Sequence, residues 1–373
     1  MELAAGSAPP PGTVGAAEIT PAELGLAARN HGMPLEALRY PITPVGLHYL
    51  LIHYDIPVVD PGAFRVALGG RVERPLTLSL DDLRARPRVT LAVTMECAGN
   101  GRARFSPRYI SQPWLTEAVG TGEWTGTPLA PLLEEAGLLP GALEVVFTGL
   151  DRGVEGGVRQ DYQRALTVEE AMGADVLLAY ELNGGPLPPQ HGFPLRLVVP
   201  GWYGMTNVKW LAGIEVVDEP FAGFQHTAGY RRFAADGTPG PPVTRMDPRS
   251  LMVPPGIPDF LTRRRFVEPG PCRLEGRAWS GWAPIERVEV SADGGRSWGE
   301  AELDPPLGPR AWRGWSFNWE PEAPGEHELC SRATDAAGNV QPVEAEWNLK
   351  GYANTSVERI AVTVGAEPGR AAP

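Results

Sequence analysis

The chain has 373 residues, of which 43% are hydrophobic and 21% charged, and its formal net charge is −12. That length exceeds what one hydrophobic core usually fills, so two domains are expected. The charge excludes a nucleic-acid binder, which needs basic patches to neutralise phosphates, and confines any anion site to a local basic pocket.

Two further exclusions follow from the composition. No apolar run reaches the roughly 18 residues of a membrane helix, so no membrane partner is expected. Cys97, Cys272 and Cys330 form no CxxC pair and no CxxCH, which excludes a zinc ribbon and leaves no haem expected in this chain. The first basic residue is Arg29, too late for the basic region of an export signal. A cytoplasmic protein is expected, or a periplasmic one where the N-terminus is processed.

Residues 1–40, rich in Ala, Gly and Pro, read as an N-terminal arm on the surface rather than a core element. Residues 41–248 mix short strands with helices. Phe64 to Leu68 alternates like a strand. Ser79 with Asp82, and Thr167 with Glu170, have the spacing of capping boxes that open helices. Val145 to Phe147 and Leu195 to Val199 are apolar strand candidates. The mixture predicts an α+β domain. From Phe221 to Glu268 the abundance of Pro, Gly and Arg predicts a long surface connection. Residues 249–373 form the second domain. There Arg287 to Ser291 alternates and runs into the hairpin signal Asp293-Gly294-Gly295. Trp312, Trp315, Phe317 and Trp319 follow at alternating or near-alternating positions. Short strands with frequent turn signals predict an all-β, immunoglobulin-like sandwich.

The chemistry concentrates around Met95-Glu96-Cys97-Ala98-Gly99-Asn100-Gly101-Arg102. Taken alone, Cys97 reads as a buried core thiol. Its surroundings point elsewhere. An apolar strand, Leu91-Ala92-Val93, leads into a loop of small residues that lets a bulky ligand approach the backbone. A nearby cation, Arg102, favours the thiolate that binds metals. His191 and Arg196 sit on a loop entering a strand and can donate to phosphate or heterocycle acceptors. Asp151 alone is a turn residue, and Lys209 beside Trp210 is a cation over an aromatic ring. Gly120 to Gly126 is one residue too long for a nucleotide-binding GxGxxG. Asp81-Asp82 and Glu169-Glu170 belong to first turns of helices.

Together these segments resemble the sulfite oxidase family over roughly residues 43–365. Cys97 to Arg102 looks like its cysteine loop. His191-Gly192-Phe193-Pro194-Leu195-Arg196 is similar to its HGFPxR segment, Asn207-Val208-Lys209-Trp210 to its xVKW segment, and Gly149-Leu150-Asp151 to its GLD turn. Trp347-Asn348-Leu349-Lys350-Gly351 resembles its WNLRG segment in the second domain. The resemblance implies molybdenum bound by Cys97 and a molybdopterin. His53, Tyr54, Asp55, Asp151, His191, Arg196, Asn207, Val208 and Lys209 would hold the pterin. Arg102, Trp114 and Tyr230 match the substrate pocket, with Arg102 and Tyr230 beside Cys97 in catalysis. Lys350 stands where the family has Arg, and Leu51 stands where it has the Arg two residues before His53. The expected pocket therefore holds Arg102, Lys350 and a protonated His53.

What the resemblance implies is oxidation of sulfite, a small anion, to sulfate by oxygen-atom transfer. Electrons would pass to an external acceptor such as a cytochrome, and the second domain would form a homodimer. A depleted anion pocket suits a rival reaction at the same cofactor, reduction of a sulfoxide of the methionine sulfoxide type. A rival of another class is a metal-free dimeric binding protein on this fold; the intact Cys97 argues against it.

Overall fold

A computed structural model describes residues 12–15, 18–321 and 323–365. The alternation near Phe64 is the strand Arg65–Gly70, with Val66 and Leu68 buried and Arg65 and Ala67 exposed. It lies in a five-stranded sheet in the order Leu76–Ser79, Arg65–Gly70, Leu211–Val217, Glu144–Glu155, Val158–Thr167. Only the pairing of Arg65–Gly70 with Leu211–Val217 is parallel. A second sheet runs Val89–Glu96, Val119–Pro128, Leu177–Leu182, and both Arg196–Val198 and Gly185–Pro186 pair with the last of these. Side chains from both sheets, including Val66, Phe147, Leu178, Leu197 and Ile214, share one core. The helices are short, and both predicted capping boxes form, at Leu80–Arg84 and Val168–Ala171.

The second sheet positions the site. Val89–Glu96 and Arg196–Val198 both belong to it; Arg196 is in register with Ala179, level with the start of Val89–Glu96, and its Nη2 reaches Met95 Sδ near the end of that strand at 3.7 Å. Cys97 follows the first strand and Arg196 opens the second, so residues 99 positions apart start from one rigid platform.

The second domain is a sandwich. One sheet contains Arg249–Met252, Cys272–Trp279, Arg313–Trp319 and Glu302–Leu303; the other runs from Ile257–Pro258 to Gly299–Glu300 through Gly325–Asp335 and Ile360–Val364. Leu274, Trp315, Val288, Leu329 and Val362 fill the space between them. The strand Ile285–Ser291 is followed by Gly294 and Gly295 at φ 73° and 90°, values that glycine adopts without steric cost.

Two expectations are corrected. The described part of residues 1–40 stays on the surface only in part. Thr20 and Glu23 cap a helix, Pro21–Arg29. Met33, Ala37 and Leu38 then enter a buried seam with Tyr203, Leu251, Trp279 and Trp312 from both domains. Ala, Gly and Pro dominate this segment's composition, but a few large apolar side chains and a buried ion pair decide its place. Residues 1–11, 16 and 17 lie outside the described residues. The Phe221–Glu268 stretch is not merely a surface connection either. It contains the strand Arg249–Met252, buried at all four positions, and a π-helical turn, Gln225–Gly229. Its arginines masked the strand, because Arg249 is buried against a carboxylate.

Candidate active site

The cysteine loop turns sharply at the end of its strand. The Cys97 amide donates to the Ala118 carbonyl at 2.9 Å, and the Asn100 amide donates to the Cys97 carbonyl at 2.9 Å. The Asn100 side chain closes the turn through the Thr116 carbonyl and the Ala118 amide. Gly99 is needed because a Cβ there would lie 2.6 Å from Arg102 Nη2. Arg102 folds back over the loop, donating from Nε to the Lys350 carbonyl at 2.8 Å and from Nη1 to the Gln112 carbonyl at 2.9 Å. Burial raises the pKa of the Cys97 thiol, and the Arg102 charge opposes it.

Two cavities meet at Cys97. The inner one is lined by His48, Tyr49, Asp151, His191, Arg196, Asn207 and Lys209 among others. The outer one is lined by Leu26, Ile52, Tyr54, Arg102, Trp114, Gln225 and Tyr352 among others. Leu51, His53, Cys97 and Tyr230 belong to both.

In the inner cavity Arg196 donates to the carbonyls of His191 and Asn207 at 3.0 and 3.1 Å and packs on the Trp124 ring. Lys209 Nζ donates to the carbonyls of Leu51 and Gln190 at 2.8 and 3.0 Å. Burial lowers Lys209 to about 7 and Arg196 to about 10, and it raises Asp151 to about 6 against the opposing Lys209 charge. Burial, with His48 and Arg196 nearby, holds His191 neutral. Among the described residues Asp151 Oδ1, Arg196 Nε and His48 Nε2 are buried without a hydrogen-bond partner, a costly state unless a ligand supplies one.

At the junction, Tyr230 Oη is 2.6 Å from His53 Nε2. Tyr230 follows the π-helical turn, a distortion that often marks functional sites. Its ring packs on Tyr352 at 5.1 Å between centroids, and the Arg164 guanidinium lies 5.6 Å from its centroid. His53 is not protonated as expected: burial and the Lys209 charge lower it to about 3. Burial raises the Tyr230 pKa well above 10 and keeps the phenol protonated; a neutral imidazole carrying its proton on Nε2 donates to Tyr230 Oη and leaves the phenol proton free for another acceptor.

Not every predicted residue reaches a cavity. Lys350 Nζ donates to the Ala228 carbonyl at 2.8 Å and lies over Phe233; it lines neither cavity, and its carbonyl holds Arg102. Asp55 is exposed and caps the Ile56 amide. Val208 is a core residue whose carbonyl accepts from the Leu197 amide. Asn207 lines the inner cavity while its Oδ1 accepts from the Val199 amide at 2.7 Å. Trp114 is buried against the outer cavity, where its indole N–H faces Cys97 and opposes the burial that raises the thiol. Sequence reasoning missed His48, Tyr49, Tyr162, Arg164 and Tyr352. Of these, His48, Tyr49 and Tyr352 had a usable signal, being close in the chain to His53 and Lys350.

Arg102, Arg164, Arg196 and Lys209 are all buried or nearly so, and among the described residues their donors meet carbonyls rather than carboxylates. Buried arginines elsewhere do have carboxylates: Arg108 pairs with Glu23 and Arg249 with Glu96. Uncompensated buried charge is expensive, so Arg102, Arg196 and Lys209, which line the two cavities, suit anionic ligands; Arg164 lines neither cavity. No three His, Cys, Asp or Glu side chains converge among the described residues. A metal at Cys97 would draw its other ligands from a non-protein group. The orphaned donors and acceptors of the inner cavity fit such a group, a polar heterocycle with an anionic tail.

Residues 53–225 match the model of the oxidoreductase molybdopterin binding domain, and residues 242–365 that of the Mo-co oxidoreductase dimerisation domain. Fold and site thus define a molybdopterin oxidoreductase. The chain is 35% identical over 358 residues to sulfite oxidase of Arabidopsis thaliana, covering 87% of this chain and 88% of that one. It is 36% identical over 346 residues to the mitochondrial sulfite oxidase of Homo sapiens, covering 87% of this chain but 62% of that one. The solved structure of the sulfane dehydrogenase SoxCD from Paracoccus pantotrophus superposes with a TM-score of 0.79 at 28% identity, covering 94% of this chain and 89% of that one. The chain belongs to the sulfite oxidase family.

Proposed function

We propose that this protein oxidises sulfite to sulfate, SO3²⁻ + H2O → SO4²⁻ + 2 H⁺ + 2 e⁻, and passes the electrons to an external acceptor. The observation that carries the proposal is the buried Cys97 between two cavities whose cations, among the described residues, lack carboxylate partners. Cys97 would be the protein ligand to molybdenum. Asp151, His191, Arg196, Asn207 and Lys209 would hold the pterin and its phosphate in the inner cavity. When bound, the cofactor supplies the transferable oxygen and takes up the two electrons.

The outer cavity receives the substrate. Two Arg102 donors are tied to carbonyls, which fixes the guanidinium and leaves Nη2 for a sulfite oxygen. Neutral His53 orients the Tyr230 hydroxyl, which donates toward the reacting oxygens. The matched dimerisation domain supports a homodimer. The net charge of −12 suits a basic acceptor such as a cytochrome.

The test is molybdenum per chain after expression in a cofactor-competent host, followed by sulfite-dependent ferricyanide reduction. Turnover with sulfite at near-stoichiometric metal supports the proposal. Turnover only of a sulfoxide with a reduced dye would replace it with the reductase reading. Protein without metal or pterin from the same host would make it a binding protein.

A further inference from the structure

Glu96, the residue before Cys97, is a carboxylate with no solvent exposure. Its Oε1 accepts from Arg249 Nη1 at 2.7 Å and from Asn100 Nδ2 at 3.0 Å, and its Oε2 accepts from Trp279 Nε1 at 2.9 Å. Arg249 and Trp279 lie in the second domain, on paired strands of one sheet, with Arg249 opposite Trp279. The same domain grips the loop at three further points. The Ala353 amide donates to the Ala98 carbonyl at 2.8 Å. Asn354 Nδ2 donates to the Gly101 carbonyl at 2.9 Å. The Lys350 carbonyl accepts from Arg102 Nε. Gly101 itself has φ 92°, and a Cβ there would lie 2.6 Å from the Asn354 carbonyl oxygen, so the two segments touch at backbone distance.

A buried ion pair is a poor source of net stability, because desolvation offsets most of its attraction. What it does supply here is registry. Every acceptor site of Glu96 that these donors occupy is fixed, and Asn100 links the carboxylate to the turn whose amide holds the Cys97 carbonyl. We propose that Arg249, Trp279 and Asn354 are positioning residues for Cys97, acting through Glu96 and Gly101, so that the second domain sets where the cysteine stands between the two cavities. The dimerisation domain is then part of the catalytic apparatus as well as an assembly module. This rests on the reading of Cys97 as the metal ligand.

The experiment compares the parent chain with the E96Q/R249M double variant, in which the charged pair is replaced without leaving one charge unpaired, and with N354A, which removes the bond to Gly101 together with the two that Asn354 accepts from Ser356. In cofactor-free protein, the rate of Cys97 alkylation by iodoacetamide is followed by mass spectrometry against Cys272 and Cys330 as internal references. Alkylation of Cys97 rises about tenfold in both variants, the scale of a local opening, while the reference cysteines are unchanged. In loaded protein, E96Q/R249M lowers kcat for sulfite with KM retained, and N354A raises KM because it loosens the turn carrying Arg102. Unchanged Cys97 alkylation in the folded variants would overturn the proposal, as would equal acceleration at all three cysteines. Should E96Q/R249M fail to fold, N354A alone decides it. A parent that turns over no sulfite would undo the substrate reading and leave the alkylation result standing on its own.

Discussion

The Tyr230 hydroxyl lies 2.6 Å from His53 Nε2, and both side chains line each of the two cavities that meet at Cys97. Burial keeps Tyr230 protonated and His53 neutral, so the phenol is an oriented donor. Y230F removes the donor and keeps the ring. The expected result is a fall in kcat of about 100-fold, the usual effect of deleting one oriented donor, with the thermal midpoint nearly unchanged. Steady-state kinetics with sulfite and ferricyanide check it.

Arg102 is fixed by two carbonyls, one from each domain. A lysine cannot keep both anchors and still present a donor to an anion. R102K is expected to raise KM for sulfite by about tenfold or more, with a smaller effect on kcat, as for loss of a charge-assisted contact. An unchanged KM would remove Arg102 from the substrate site.

Asp151 is raised to about 6, so the native state holds its proton more tightly than the unfolded chain. Its contribution is present at low pH and is lost as pH rises through about 6. Lys209, lowered to about 7, acts only above that value. His48 and His53, held neutral by burial, give the opposite slope between about pH 4 and pH 6. The comparison is therefore between the cofactor-free parent and D151N. Relative to D151N, the parent is expected to lose about 3 kcal/mol between about pH 4 and pH 7. Urea unfolding at the two pH values reads this difference.

Glu23 is fully buried against Arg108 and caps its own helix. E23A leaves the Arg108 guanidinium without a carboxylate. The expected cost is about 3–5 kcal/mol, felt first as lost hydrogen-exchange protection over residues 21–29. Protection equal to that of the parent would show that the helix is held by its apolar contacts alone.

The sequence made the platform legible because its signals are local. Ser79 and Thr167 cap the helices they promised, Arg65–Gly70 alternates as written, and the segments carrying Cys97 and Arg196 open onto the inner cavity. What stayed hidden depends on contacts distant in the chain. Lys350 looks like a pocket cation from its place in the Trp347–Gly351 segment, where the family has Arg, yet its ammonium is held by the Ala228 carbonyl, 122 positions away. His53 looks protonatable until burial beside Lys209 is known. Arg164 gave no motif at all, and only the packing of Val158–Thr167 beneath Tyr230 brings it near the site.

The helix Pro21–Arg29 carries Leu26 into the wall of the outer cavity, and Met33 behind it fills the seam between the domains. The family match begins later, at residue 53. An expression clone trimmed to that match would discard one side of the outer cavity and open the interdomain seam to water. For protein production, the useful start of this enzyme therefore lies before residue 20.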